Sequence, residues 1–209
     1  MEILRNNDLP AQNDKLFIPE QNGTEWLPNG PDGFFKLSEG YRTAAITIYK
    51  EIKENEYFGK PFLSCAMIFC FRQFLELRLK ELIFFGKKEL FKDTNFEKKH
   101  NLCILYDDYI NNVLPELDPT YDQSQVDIVH NLISEFDQID PQSMSFRYPV
   151  DKKMNPNLRI PNLDIDNFKN VMDRLANYFD GQWELVNLLE SYNEDMEAEY
   201  SAYMNQIMY

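Results

Sequence analysis

Between Pro61 and Gly86 runs the most apolar segment of the chain, and much of it cannot face water on any side. From Phe62 to Phe71 only Ser64 breaks the run. Ten residues are far short of the roughly 20 that span a bilayer. The charged residues Arg72, Glu76, Arg78, Lys80 and Glu81 follow at once. The segment is therefore expected as a buried central helix over 62–85. Pro61 suits its first position and Gly86 its stop. The rest of the fold must be arranged around it.

The flanking segments carry the 3.6-residue period that such a helix needs for company. A first helix is expected from a Ser38 cap to about Tyr57, with Tyr41, Ala44, Ala45, Ile48 and Ile52 on its inner face. A third is expected from about Glu97 to Leu114, before Pro115. A fourth runs from about Asp122 to Ile139, before Pro141, on the stripe Val126, Val129, Ile133 and Phe136. Asp164 or Asp166 caps a last long helix with the stripe Ile165, Phe168, Met172, Leu175 and Phe179, and Gly181 is a candidate kink. Leu185, Leu189, Tyr192, Met196, Tyr200, Tyr203 and Ile207 continue that stripe. The tail is too long for its own bundle, which leaves a partner subunit or a solvated terminus as its surroundings.

Two stretches lack helical period. Residues 1–37, with four prolines and three glycines, are expected as an extended arm pinned by Phe17, Ile18, Trp26, Phe34 and Phe35. Ser145–Val150 and Leu158–Pro161 are expected as two short strands about a polar turn. The predicted fold is thus all-α: an up-and-down helical bundle over 38–190 with a β-hairpin insertion near 145–161 and a C-terminal helix extension over 191–209.

Charge and motifs exclude several functions. Asp and Glu number 35 against 21 Lys and Arg, a formal charge of −14. Such a surface disfavours extended nucleic-acid binding, because little drives counterion release. A local basic pocket is still allowed. Cys65, Cys70 and Cys103, an odd set in apolar surroundings, are expected as reduced core thiols of a cytoplasmic protein, and the first residues contain no apolar leader. No Gly-rich phosphate loop or nucleophile motif is present, and no cofactor is expected. The two histidines close Glu97-x-x-His100 and Asp127-x-x-His130, a spacing known from di-iron bundles. His130, however, falls opposite the core stripe of its helix and is expected in solvent, so no metal site is expected.

Charges on the central helix need partners, because an unpaired buried charge is costly. Arg147, between Phe146 and Tyr148, is the candidate partner of Glu76. Two roles are open to it: a structural ion pair fastening the hairpin, or part of a phosphate pocket formed by Lys80, His100, Asn101, Arg147 and Tyr148.

Three motifs occur in order. They are Phe74-Leu75-Glu76-Leu77-Arg78-Leu79-Lys80-Glu81-Leu82-Ile83 before Gly86, His100-Asn101-Leu102 before Leu105 and Tyr106, and Phe146-Arg147-Tyr148-Pro149-Val150-Asp151. Over roughly residues 38–190 the chain resembles the HEPN (higher eukaryote and prokaryote nucleotide-binding) superfamily. The resemblance implies a helical bundle, a homodimer, and nucleotide or RNA transactions in defence or regulatory settings. Active relatives are metal-independent ribonucleases with an Arg four to six residues before a His. This chain departs there, since the nearest Arg preceding either histidine is Arg78. The implied role is a non-catalytic accessory domain binding a nucleotide or other phosphate ligand. If the chain is an enzyme, His100 and Arg147 carry the cleavage. A protein-interaction module working through the C-terminal helix is the third alternative.

Overall fold

The computed structural model describes residues 16, 27–31, 33–54, 61–95, 99–158 and 162–207. Six helices follow one another: α1 (Gly33–Glu54), α2 (Pro61–Phe91), α3 (Leu102–Asn112), α4 (Leu114–Leu117), α5 (Gln123–Ile139) and α6 (Ile165–Ile207). The architecture is all-α, and no strand occurs among the described residues.

The apolar run dictates the arrangement. α2 packs most extensively on α1 and also meets α3, α4 and α6, while α5 is reached through α3. Met67, Phe71, Phe74, Leu75, Leu79, Leu82 and Ile83 lose all contact with solvent. Adjacent residues such as Phe74 and Leu75 point to different sides, so the helix is enclosed rather than half-buried.

Gly86 does not stop α2, which continues to Phe91. A Cβ on Gly86 would lie 2.4 Å from Cγ1 of Val113, so the glycine serves close approach of the α3–α4 junction. Gly86→Ala is therefore expected to cost about 1–3 kcal/mol by overpacking, despite the better helix propensity of alanine. Urea unfolding measures this, and Val113→Ala in the same chain should recover part of the loss.

Other ends also differ from expectation. α1 starts at Gly33, inside the expected arm, where Gly33 N–H donates to the Gly30 carbonyl at 3.1 Å and Phe34 N–H to that of Pro31 at 3.0 Å. Ser38 is thus internal and buried, its Oγ donating back to the Phe35 carbonyl at 2.8 Å instead of capping. The rest of the arm, including Phe17, Ile18 and Trp26, and the expected end of the first helix near Tyr57 lie outside the described residues. α3 begins later than predicted because Asn101 caps it, accepting from Ile104 N–H at 2.8 Å. Pro115 does not simply follow a helix but sits in the short α4. α5 matches its predicted limits, with Asp122 accepting from Ser124 N–H at 2.9 Å and the whole stripe buried. Asp164 opens α6, accepting from Asp166 and Asn167 N–H at 3.1 and 2.9 Å. α6 then passes through Gly181 as one helix.

The predicted hairpin reduces to one antiparallel bridge between Val150 and Pro156. Local side chains capture the donors a ladder would use. Asp140 Oδ1 accepts from Met144 and Ser145 N–H at 2.6 and 2.9 Å. The Met144 carbonyl accepts from Arg147 and Tyr148 N–H at 3.2 and 3.1 Å, which makes a turn of the first expected strand. Asp151 Oδ1 accepts from Lys153 and Asn155 N–H at 2.7 and 2.9 Å. Of the second expected strand only Leu158 is described, and it is not in a strand.

Candidate functional site

The polar residues of α2 sort by helical phase. Arg72, Glu76 and Lys80 follow at intervals of four, drifting about 40° per step, whereas Arg78 lies about 200° round from Glu76. The helix therefore carries two ionic clusters on opposite flanks.

Glu76 organises the first. Its Oε2 accepts from Arg72 Nη1 at 3.1 Å, and its Oε1 accepts from Lys80 Nζ at 2.7 Å. His100 Nδ1 lies 2.8 Å from the same Oε1. Arg72, fully buried, also donates through Nη2 to the His100 carbonyl, so one guanidinium ties α2 to the entry of α3. Burial alone would raise the Glu76 carboxyl. The Lys80, His100 and Arg72 donors outweigh it and hold the carboxyl below its ordinary value. Burial pulls Arg72 below its ordinary value, against the attraction of Glu76, Asp140 and Asp137. An ionised carboxylate only accepts, so the proton between Glu76 and His100 sits on Nδ1. Nε2 is then the free nitrogen of a ring that is 68% exposed.

The structure thus brings together Lys80 and His100 of the predicted pocket, and Asn101 beside them with a different task. Asn101 caps α3, and its Nδ2 donates to Asp137 Oδ2 at 2.6 Å. Arg147 does not pair with Glu76. Both Glu76 oxygens are occupied by nearer donors, and Arg147 is held by its own loop. Its Nε donates to the Ser143 carbonyl at 2.6 Å, and Nη2 lies 2.9 Å from Met144 Sδ. The guanidinium lies 5.6 Å over the Phe69 ring and 5.7 Å over that of Tyr148. Phe69 precedes Glu76 by seven residues, about 10 Å along the helix axis. Arg147 therefore pins the loop onto α2 rather than joining the cluster, and Tyr148, half exposed, stacks on Arg147.

His130 is not simply solvated. Its Nε2 lies 3.0 Å from Asp107 Oδ1, and its ring is 6.0 Å from that of Tyr106. Asp127 instead accepts from Gln123 Nε2 at 2.7 Å. Glu97 lies outside the described residues, and among the described residues no group of three or more His, Cys, Asp or Glu could hold a metal ion. Cys65, Cys70 and Cys103 are half-buried free thiols, and burial pushes those of Cys70 and Cys103 up. No described helix is long and apolar enough to cross a membrane.

The second cluster joins α1, α2 and α6. Arg78 Nη1 donates to Glu81 Oε2 at 2.8 Å, and Nη2 donates to Glu39 Oε1 at 2.6 Å and Asp180 Oδ1 at 3.1 Å. Arg42 Nη1 donates to Asp180 Oδ2 at 2.9 Å. Three carboxylates thus share two guanidiniums. The excess falls on Glu81, which is buried and whose Oε1 has no hydrogen-bond partner among the described residues. Burial, with Glu39 and Asp180 adding to it, pushes its carboxyl up to about 7 against the pull of Arg78. The sequence marks Glu81 as needing a partner but does not identify Asp180, 102 positions from Arg78, as a member of its cluster.

Comparison of the chain with protein-family models, with curated proteins and with solved structures gives no significant match.

Proposed function

We propose that the chain is a HEPN-like accessory domain that binds a phosphate-bearing ligand, a nucleotide or an RNA end, at His100 and Lys80. The observation that carries this reading is the exposed His100 ring fixed by Glu76, with the Lys80 ammonium on the same carboxylate oxygen. An arriving phosphate favours the imidazolium. Nε2–H then donates to the ligand while Nδ1–H stays on Glu76, and Lys80 adds a second positive charge. Asn101 serves by fixing the start of α3. The order of the three motifs that resemble the HEPN superfamily supports the same reading.

The test is a thermal-shift series with inorganic phosphate, nucleotides, polyphosphate and short RNAs, run on the full chain and on His100→Ala. Saturation at a hundred times Kd stabilises by about 2.7 kcal/mol, which is roughly 5–10 °C for a chain of this size. One ligand class should produce that shift, and His100→Ala, altered at an exposed ring, should lose it while melting normally when unliganded. Absence of a shift with every ligand ends the reading.

The Glu76–His100 bond favours one second reading. A carboxylate-oriented histidine with a free Nε2 has the form of a general base, as a diverged metal-independent ribonuclease requires. Cleavage of mixed RNA that persists in EDTA and disappears in His100→Ala establishes the enzyme. Intact RNA in both proteins leaves the binding role alone.

A further inference from the structure

The last buried side chain of α6 is Val186, yet the helix continues to Ile207. Over that overhang Leu188, Tyr192, Met196, Tyr200, Tyr203 and Ile207 are all exposed. Their spacings of four, four, four, three and four keep them within about 120° of the helix surface. The bundle touches a different side. Asn193 Nδ2 donates to the Glu89 carbonyl and to Glu89 Oε2 at 3.1 and 3.0 Å, Lys88 pairs with Glu190 at 3.1 Å, and Lys92 pairs with Glu197 at 3.3 Å. These contacts fall beside the stripe and leave it uncovered among the described residues. Tyr and Met are also the side chains that protein interfaces favour.

The flanks say what fits there. Residues 188–207 contain Glu190, Glu194, Asp195, Glu197 and Glu199, and no Lys, Arg or His. Glu190 and Glu197 are paired to α2, while Glu194, Asp195 and Glu199 make no ion pair with a described residue. A second copy laid along the stripe would set acid against acid on a chain already at −14. An anionic membrane surface is disfavoured for the same reason, because interfacial helices are held by Lys and Arg.

We infer that the exposed face of α6 from Leu188 to Ile207 docks a basic amphipathic helix of another protein, its apolar residues laid on the Tyr–Met stripe and its Lys and Arg against Asp195 and Glu199, which line one edge of that stripe. The occupant is read through helical anchors spaced three and four residues apart, and acidic flanks select its charge. This site is separate from the His100 site and does not depend on it.

Fluorescence anisotropy on the full chain tests the inference with three synthetic 20-residue peptides. One has a Leu/Ile stripe at helical spacing flanked by Lys and Arg. The second keeps the stripe with Glu flanks. The third has the basic composition scrambled so that the stripe is lost. The basic striped peptide should bind in the micromolar range. Tyr192→Ser with Tyr200→Ser should weaken it at least tenfold, and Asp195→Asn with Glu199→Gln several-fold with a reduced salt dependence. Both variants alter exposed side chains, so unchanged melting serves as their folding control. Equal binding of the scrambled peptide would reduce the effect to bulk charge and overturn the proposal. So would no binding of the striped peptide at 100 µM. Sedimentation of the chain alone as a dimer that the double Tyr→Ser variant dissociates would make a second copy the occupant, and would also overturn it.

Discussion

Glu76→Leu should lower the unfolding free energy by about 3–5 kcal/mol, because it leaves the Arg72 guanidinium buried without a counter-charge. Arg72 is 0% exposed, and its remaining bond would be to the His100 carbonyl. For a chain of this length the melting temperature should fall by on the order of 10 °C. Arg72→Met in the same chain removes the stranded charge and should restore most of the loss, since removing both partners of a buried pair is close to neutral. A double-mutant cycle in urea gives the coupling. If Glu76→Leu melts within a degree or two of the parent, the guanidinium reaches water in the variant and the cluster is not the structural tie described above.

Stability between pH 5 and pH 8 should slope downward as pH rises, and Glu81→Gln should flatten that slope. The folded carboxyl is pushed up from 4.5 to about 7, so in this window the native state holds a proton that the unfolded chain has released. A native state that binds more protons loses stability as pH increases. One group over that interval amounts to about 3 kcal/mol. The contribution is largest at the acid end of the window and is lost as pH rises through the folded value. Glu76 and Glu89, held below their ordinary values, act in the opposite sense and only from about 4.5 downward, so they do not mask it. Urea midpoints at pH 5.5 and 8 suffice for the measurement. An identical slope in Glu81→Gln would mean that Arg78 keeps Glu81 ionised throughout.

Whether a feature could be read from the sequence depended on how far away its cause lay. α5 was legible to within a residue because its stripe and the proline that follows it are local. The start of α6 was legible as Asp164 or Asp166 for the same reason, and the hydrogen bonds select Asp164. The Glu76–Lys80 bond is equally local, joining residues four apart on one helix. Gly86 carried the signature of a helix stop, but its reason for being glycine is Val113, which comes into contact only after the chain has folded back. Likewise the charges of α2 announced a need for partners without naming them. Arg147 seemed suitable by type, yet Arg72 and His100 stand closer to Glu76. The hairpin failed for a local reason that the alternation of side chains conceals. Asp140 takes the N–H groups of Met144 and Ser145, and the Met144 carbonyl those of Arg147 and Tyr148, so the first stretch closes on itself as a turn. His130 was placed in water by helical phase alone, which does not register Asp107 on the neighbouring α3.

A central helix with apolar residues on every side poses a problem that packing alone does not solve. Turned by one residue about its axis, α2 would still present Phe, Leu and Ile to each neighbour, and a purely hydrophobic core would hold many such orientations at similar energy. The two ionic clusters remove that degeneracy. Any rotation or slide of α2 that parts Arg72 and Glu76 from His100 also carries Arg78 away from Glu39 and Asp180, and leaves several charges among aromatic rings at once. The clusters act as a key cut on both edges: they add little to the depth of the native minimum and much to its uniqueness.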